Sequence, residues 1–168
     1  VLPRIAHDSE LPRIRQSLMD LWSLGVGNVL VGNLGLIPVA RECHMVVHGD
    51  LGLNIYSSGA VYAARALELR TAMLSAEMTL PQIRDVSKAV PCEMLCYGRM
   101  PLMVTENCLI RGRTGQCTCH LASTKLVDKT GAEFPVIRDG NHCRSILLNG
   151  KKLNLLDRHD ELDRLGIW

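Results

Sequence analysis

Through its first hundred residues the chain alternates short, almost wholly apolar runs with stretches of helical period, and that rhythm constrains its fold more than any other feature. The runs are VLPRI (1–5), NVLVG (28–32), HMVVHGD (44–50), TAMLS (71–75) and EMLCYG (93–98). Runs so short and so apolar suit strands of a parallel sheet, which are buried on both faces. A helix is expected in each gap. Asp8 or Ser9 caps the first, where Leu11, Ile14, Leu18 and Leu21 recur at helical spacing before Gly25 ends it. The second runs from about Leu36 to Glu42. Ser57 or Ser58 caps the third, which carries Ala60, Ala63, Ala64 and Leu67 on one face. Thr79 and Gln82 form a capping box for the fourth, with Pro81 in its first turn and a buried stripe of Ile83, Val86 and Val90.

Repeated βα units of this kind make an α/β fold, with a doubly wound sheet and a (β/α)8 barrel as the candidates. A complete barrel takes about 250 residues. Five units within 168 residues would be part of one, and the abrupt start on an apolar run fits a piece of a longer protein. From Pro101 the character changes, for cysteines appear and helical period disappears. KLVDKTGAEFPVIRD (125–139) reads as two strands joined at Asp128 to Gly131, and SILLN adds a further strand. LLDRHDELDRLG closes the chain as an amphipathic helix on Leu156, Leu162 and Leu165, with Gly166 as its C-cap.

Charge and hydropathy exclude several functions. With 19 basic against 17 acidic residues, the surface is too evenly charged to grip nucleic acid as a whole. Any basic contact must be local, as at Arg111 and Arg113 or at Lys151 and Lys152. No run approaches the roughly 18 apolar residues of a membrane span, and no signal peptide is visible, so a cytoplasmic protein is expected. Seven cysteines are an odd number, and reduced thiols favour metal or cluster ligation over a disulfide framework.

Ligands of a parallel α/β sheet gather at the carboxyl ends of its strands. Those ends carry Gly32, Asn33 and Gly35; His48, Asp50 and Asn54; Ser75 and Glu77; and Tyr97, Gly98 and Arg99. Asp50 and Glu77 on neighbouring ends can form a carboxylate pair for proton transfer or metal binding, with Arg99 holding an anionic group. Helix capping and surface ion pairing account for the same residues equally well. The GNLG turn can admit an anion, but a tight βα turn needs the same glycines. His48 is expected to be held by hydrogen bonds rather than to react. Neither G-x-S-x-G nor H-E-x-x-H occurs.

The strongest local signal is a set of four thiols, Cys108, Cys117, Cys119 and Cys143, at intervals of nine, two and twenty-four. They lack the double C-x2-C of a zinc ribbon. A [4Fe-4S] cluster, zinc with His120 or His142 replacing a thiol, and four reduced cysteines without a metal all fit the spacing. Cys92 and Cys96, four apart on one expected strand, read as small core residues, as does Cys43 at a helix end.

LPRI, VLVGNLG, GDLGLNIYSS, LSAEMTLPQI, YGRMPLMVTENC, LVDKTGAEFPV and CRSILLNGKKLNLLDR follow one another in an order and spacing that resembles the collagenase-like peptidase family U32, in the carboxyl-terminal half of its long bacterial members. The resemblance implies a partial (β/α)8 TIM-barrel-like domain over 1–100 and a small cysteine-containing β lobe with a terminal helix over 101–168. It implies a peptidase, completed by the missing N-terminal part of the same protein and acting on a peptide. It also implies an alternative, since some members support hydroxylation of RNA or a small aromatic precursor and carry a four-cysteine [4Fe-4S] site. On that pattern Cys108 and Cys143 match two ligands, and Cys117 or Cys119 a third. Hydroxylating members have a further cysteine where this chain reads Arg99, Met100 and Pro101, so four ligands here require both Cys117 and Cys119. Met78 and Gly150 also depart from the family pattern, which has leucine and serine there.

Overall fold

The computed structural model describes residues 1–116, 124–139 and 143–167. The chain forms two compact units, one of Val1–Leu95 with the terminal segment from Arg158, the other of Cys96–Asp157.

The first unit is an α/β layer. Its elements run α1 (Leu11–Ser23), β1 (Asn28–Val31), α2 (Leu36–Glu42), β2 (Val46–Gly49), α3 (Ser58–Ala66), β3 (Thr71–Met73), α4 (Leu80–Asp85) and β4 (Cys92–Glu93). The strands pair in the order β1-β2-β3-β4, all parallel, each joined to the next through a helix. Four strands therefore stand where five βα units were expected, in an open sheet, and the described residues contain no closed barrel. VLPRI is not a strand. Pro3 has no N–H to extend a ladder, and the segment touches the sheet through a single backbone bond from Leu2 N to Leu30 O at 2.9 Å. EMLCYG also divides: Glu93 stays with Cys92 in the parallel sheet, while Tyr97–Gly98 belongs to the second unit.

Helix starts follow local chemistry. Ser57 accepts the Ala60 N–H at 3.2 Å, and the expected box of Thr79 and Gln82 opens α4. Asp8 and Ser9 do not cap α1. They lie in a 3-10 turn, Asp8–Glu10, with Glu10 Oε2 accepting the His7 N–H at 2.7 Å. Of the α1 stripe, Leu18 is fully buried, Leu11 and Ile14 pack at the edge of the core, and Leu21 is exposed.

The helix ends share one geometry. After α1, α2 and α3 the chain turns through a left-handed residue, Gly25 (φ +85), His44 (φ 63) and Glu68 (φ 54). Each corner is closed by two backbone bonds, Gly25 to Trp22 and Val26 to Leu21, His44 to Arg41 and Met45 to Ala40, Glu68 to Arg65 and Leu69 to Ala64. This is the Schellman pattern, and at the second and third corners the apolar residue that follows, Met45 or Leu69, is buried. One of the three corners has the glycine that makes the conformation cheap; the others hold L side chains where they are disfavoured by about 1 kcal/mol or more.

Parallel partners share a face, so the register places Val29, Val31, Val47, Ala72 and Cys92 on one side of the sheet. All five are buried and join Leu18, Leu36, Ile37, Val61, Ala64 and Ile83 from the helices in one apolar cluster. The opposite face carries Asn28, Leu30, Val46, His48, Thr71, Met73 and Glu93. There Leu30 and Met73 are half-buried and Val46 is exposed. The helices thus cover one face of a sheet type that ordinarily has both faces covered.

The second unit is mainly antiparallel. It contains β5 (Tyr97–Gly98), β6 (Pro101–Thr105), α5 (Leu109–Thr114), β7 (Thr124–Val127), β8 (Glu133–Asp139), β9 (Arg144–Leu148) and β10 (Leu153–Asn154). β6-β9-β8-β7 form one sheet, and β5 pairs with β10. The expected hairpin of 125–139 is β7 and β8. Its turn is organised by Asp128 Oδ1, which accepts from Thr130 N (2.7 Å), Thr130 Oγ1 (2.7 Å) and Ala132 N (2.9 Å), while Gly131 takes φ +85. After it the chain returns through a 3-10 turn, Leu156–Arg158, to α6 (His159–Leu162) and a second 3-10 turn, Asp163–Leu165. Leu165 enters the first unit's core and Gly166 ends the segment at φ 63, as expected; Leu156 is exposed rather than part of the apolar stripe.

Candidate functional site

Asp50 follows β2 directly. Its Oδ1 accepts the Leu51 N–H at 2.8 Å and so opens the 3-10 turn Leu51–Leu53. Glu77 lies in the turn after β3, exposed, where its backbone N–H donates to Ser75 Oγ at 3.3 Å. The two carboxylates therefore stand at the carboxyl ends of adjacent strands. Beside them two loops touch backbone to backbone: a Cβ on Gly52 would lie 2.3 Å from the Gly32 carbonyl oxygen. The GNLG turn is closed on itself, with Asn33 Oδ1 accepting from Gly35 N at 2.8 Å and Asn33 Nδ2 donating to Arg4 O at 3.2 Å.

On the open sheet face His48 bridges three strands. Its Nδ1 lies 2.8 Å from Thr71 Oγ1 and its Nε2 lies 3.0 Å from Asn28 Oδ1. Both ring nitrogens are thus engaged, and the imidazole joins the starts of β1 and β3 across β2. This is the hydrogen-bonded role expected of it.

Arg99 belongs to the second unit. Its guanidinium donates to Asn149 O at 2.9 Å and to Gly150 O, which ties the start of β6 to the loop after β9. Gly150, one of the departures from the family pattern, has a local reason: a Cβ there would meet the Glu133 carbonyl oxygen at 2.6 Å.

Cys108 and Cys143 come together. They line one cavity of ≈ 530 Å³ with Glu106, Asn107, Arg111 and Gly112. Cys108 caps α5, and its sulfur accepts the Arg111 N–H at 3.3 Å. Cys143 stands exposed at the start of β9 with φ 54. Cys117 and Cys119 lie outside the described residues, as do His120 and His142. Among the described residues no group of three or more His, Cys, Asp or Glu is arranged to hold a metal ion. Two thiols on one concave surface fit two positions of a thiolate site, and the N–H on Cys108 sulfur is the kind of bond that stabilises a thiolate and orients it.

An ion pair fastens the two thiol-bearing loops. Arg144, 1% exposed, donates from Nε to Glu106 Oε1 at 2.9 Å. Glu106 is two residues before Cys108 and Arg144 directly follows Cys143. Motif reading missed both, and the only hint was that each is a charged residue within two positions of a candidate ligand. The remaining cysteines divide. Cys43 and Cys92 are buried as expected, and burial pushes the Cys92 thiol up from its ordinary value. Cys96 is not a core partner of Cys92. It falls in the other unit, half-buried, where its carbonyl accepts from Leu155 N at 2.9 Å.

Among the described residues no helix is long and apolar enough to cross a membrane. No curated protein and no solved structure matches the chain. The profile of peptidase family U32 matches residues 1–168, every position of the sequence, and the chain therefore belongs to peptidase family U32.

Proposed function

We propose that the protein is a hydrolase of the peptidase type, working in the cytoplasm, whose first unit forms part of a (β/α)8 barrel. The observation that carries this reading is the match of peptidase family U32 over residues 1–168. The barrel is supported by the one-sided sheet: when such a layer closes, the face turned away from its helices becomes the packed interior. Catalysis then belongs at the strand carboxyl ends, where Asp50 and Glu77 stand. Glu77, exposed, is placed to take a proton from an attacking water, while Asp50 shapes the neighbouring loop through its bond to Leu51 N. Arg99 is proposed to act by holding its loop, since its guanidinium is bonded to two carbonyls. Rigorously purified protein is expected to cleave gelatin or short peptides, and Glu77→Gln to slow cleavage about 10²-fold or more. Absence of cleavage, or full activity in the Glu77→Gln variant, would overturn the assignment.

A second reading is favoured by the cavity that Cys108 and Cys143 share. With Cys117 and Cys119 they would hold a [4Fe-4S] cluster, and the enzyme would modify RNA or a small aromatic precursor. The cluster, when bound, supplies electron transfer. The chain's own part is to fix the thiols: Arg111 N–H on Cys108 and the pair of Glu106 with Arg144 between the loops. Zinc on the same thiols would instead make the lobe a stabilised RNA- or protein-binding module. Anaerobic analysis for iron, zinc and sulfide distinguishes them. About four iron and four sulfide per chain, lost in Cys108→Ala, support the cluster; stoichiometric zinc points to the module, and neither metal removes both.

A further inference from the structure

At the amino-terminal ends of β2, β3 and β4, away from Asp50 and Glu77, lies a cavity of ≈ 420 Å³ lined by Arg41, Arg65 and Arg70. Arg41 and Arg65 sit in the last turns of α2 and α3, each accepting through its carbonyl the bond that closes a Schellman corner. The repeated corner thus delivers an arginine to the same place in successive units. Arg70 arrives differently, just before β3, with its N–H donating to Val47 O at 2.8 Å.

Among the described lining residues Glu68 is the one carboxylate, and it is paired with Arg41. Arg65 and Arg70 are exposed and have no carboxylate partner among the described residues. Cations in a last helical turn answer the helix dipole, which explains Arg41 and Arg65. It leaves Arg70, which is on no helix, and the concave shape unexplained. The floor between the arginines is apolar, built by Met45, Val47, Leu69 and Val90.

We propose that this cavity binds a phosphomonoester, with the dianionic phosphoryl group held by Arg65 and Arg70 and the organic part resting on the apolar floor. Guanidinium forks match phosphoryl oxygens in charge and geometry. The helices present their carbonyl ends here, so the backbone offers an anion no help and the arginine side chains must supply the binding. This is a binding site at the end of the sheet opposite the proposed chemistry, and it stands whichever reaction the protein performs.

Calorimetric titration of the whole chain, at fixed ionic strength, with a nucleoside 5′-monophosphate, the matching nucleoside and inorganic phosphate tests the assignment. The monophosphate is expected to bind saturably, inorganic phosphate to compete with it, and the nucleoside to bind at least about tenfold more weakly. Arg65→Gln and Arg70→Gln should each weaken the monophosphate about tenfold or more, the loss of a charge-assisted contact. Arg65→Lys keeps the charge without the fork and should fall between. Arg13→Gln, exposed on α1, should change nothing, and far-UV circular dichroism checks that each variant is folded. A 5′-phosphorylated oligoribonucleotide that binds more tightly than the monophosphate assigns the phosphoryl group to a nucleic-acid end, and one that does not assigns it to a small molecule. No saturable binding at millimolar monophosphate overturns the proposal. So does binding that survives the double variant R65Q/R70Q, or an equal loss with Arg13→Gln.

Discussion

The two units are held together by different physics. In the first, strand and helix residues from Leu18 to Cys92, joined by Leu165, make one continuous apolar cluster, and each fully buried Leu, Ile or Val in it contributes about 1.5–3 kcal/mol. In the second, among the described residues, Val136 is the one buried apolar side chain, and the others buried are Arg144 and Ser145. Units below about 70–80 residues with few buried apolar side chains are commonly stabilised by a metal or a covalent staple. A metal on the cysteines of the second unit, as proposed above, would then act as a staple separate from any reaction.

The largest expected effect tests whether the proposed metal is such a staple. Chelation, or Cys108→Ser, is expected to abolish hydrogen-exchange protection in β6 to β9 while β1 to β4 keep theirs; equal protection in both units after removal would show that the second needs no staple. Next in size is Gly52→Ala. A methyl group forced to 2.3 Å from the Gly32 carbonyl oxygen should cost about 3 kcal/mol or more, seen as a lower denaturation midpoint confined to the first unit's probes. Glu106→Gln should destabilise the second unit by about 2–3 kcal/mol, since it strips the carboxylate from a guanidinium 1% exposed. His44→Gly works in the other direction. It relieves a left-handed L residue and should stabilise the first unit by roughly 0.5–1 kcal/mol, less what is lost with the Trp22 ring 5.8 Å from the imidazole.

Local features were readable in advance. The span of α2, the Thr79 and Gln82 box and the Asp128 hairpin each depend on residues within a few positions of one another. Readings failed where a neighbour in space decided the outcome. VLPRI has a strand's composition, yet in space it meets β1 through one backbone bond, from Leu2 N to Leu30 O. The Schellman corner was legible at Gly25 and not at His44 or Glu68, because positive φ is written in the sequence only when glycine supplies it. For the candidate site, spacing left cluster, zinc and free thiols open, the family resemblance singled out Cys108 and Cys143, and their shared cavity needed the fold of the lobe. The pair of Glu106 and Arg144 spans 38 positions, beyond the reach of any short motif.

The turn at Asp128 has a consequence for how the second unit meets acid. Bonds first from the Thr130 hydroxyl and then from the Ala132, Thr130 and Gly131 amides hold its carboxyl below the usual value. A carboxyl bound more weakly by protons in the folded chain than in the unfolded one favours folding at neutral pH. That advantage is kept above the ordinary aspartate range and lost as pH falls through the depressed folded value. The amide signals of Thr130 and Ala132 should therefore titrate together, with a midpoint below that of a free aspartate, and Asp128→Asn should erase the transition. Proton uptake at one exposed carboxyl is thus linked to the turn that joins β7 and β8, and acid is expected to loosen the hairpin at that turn first.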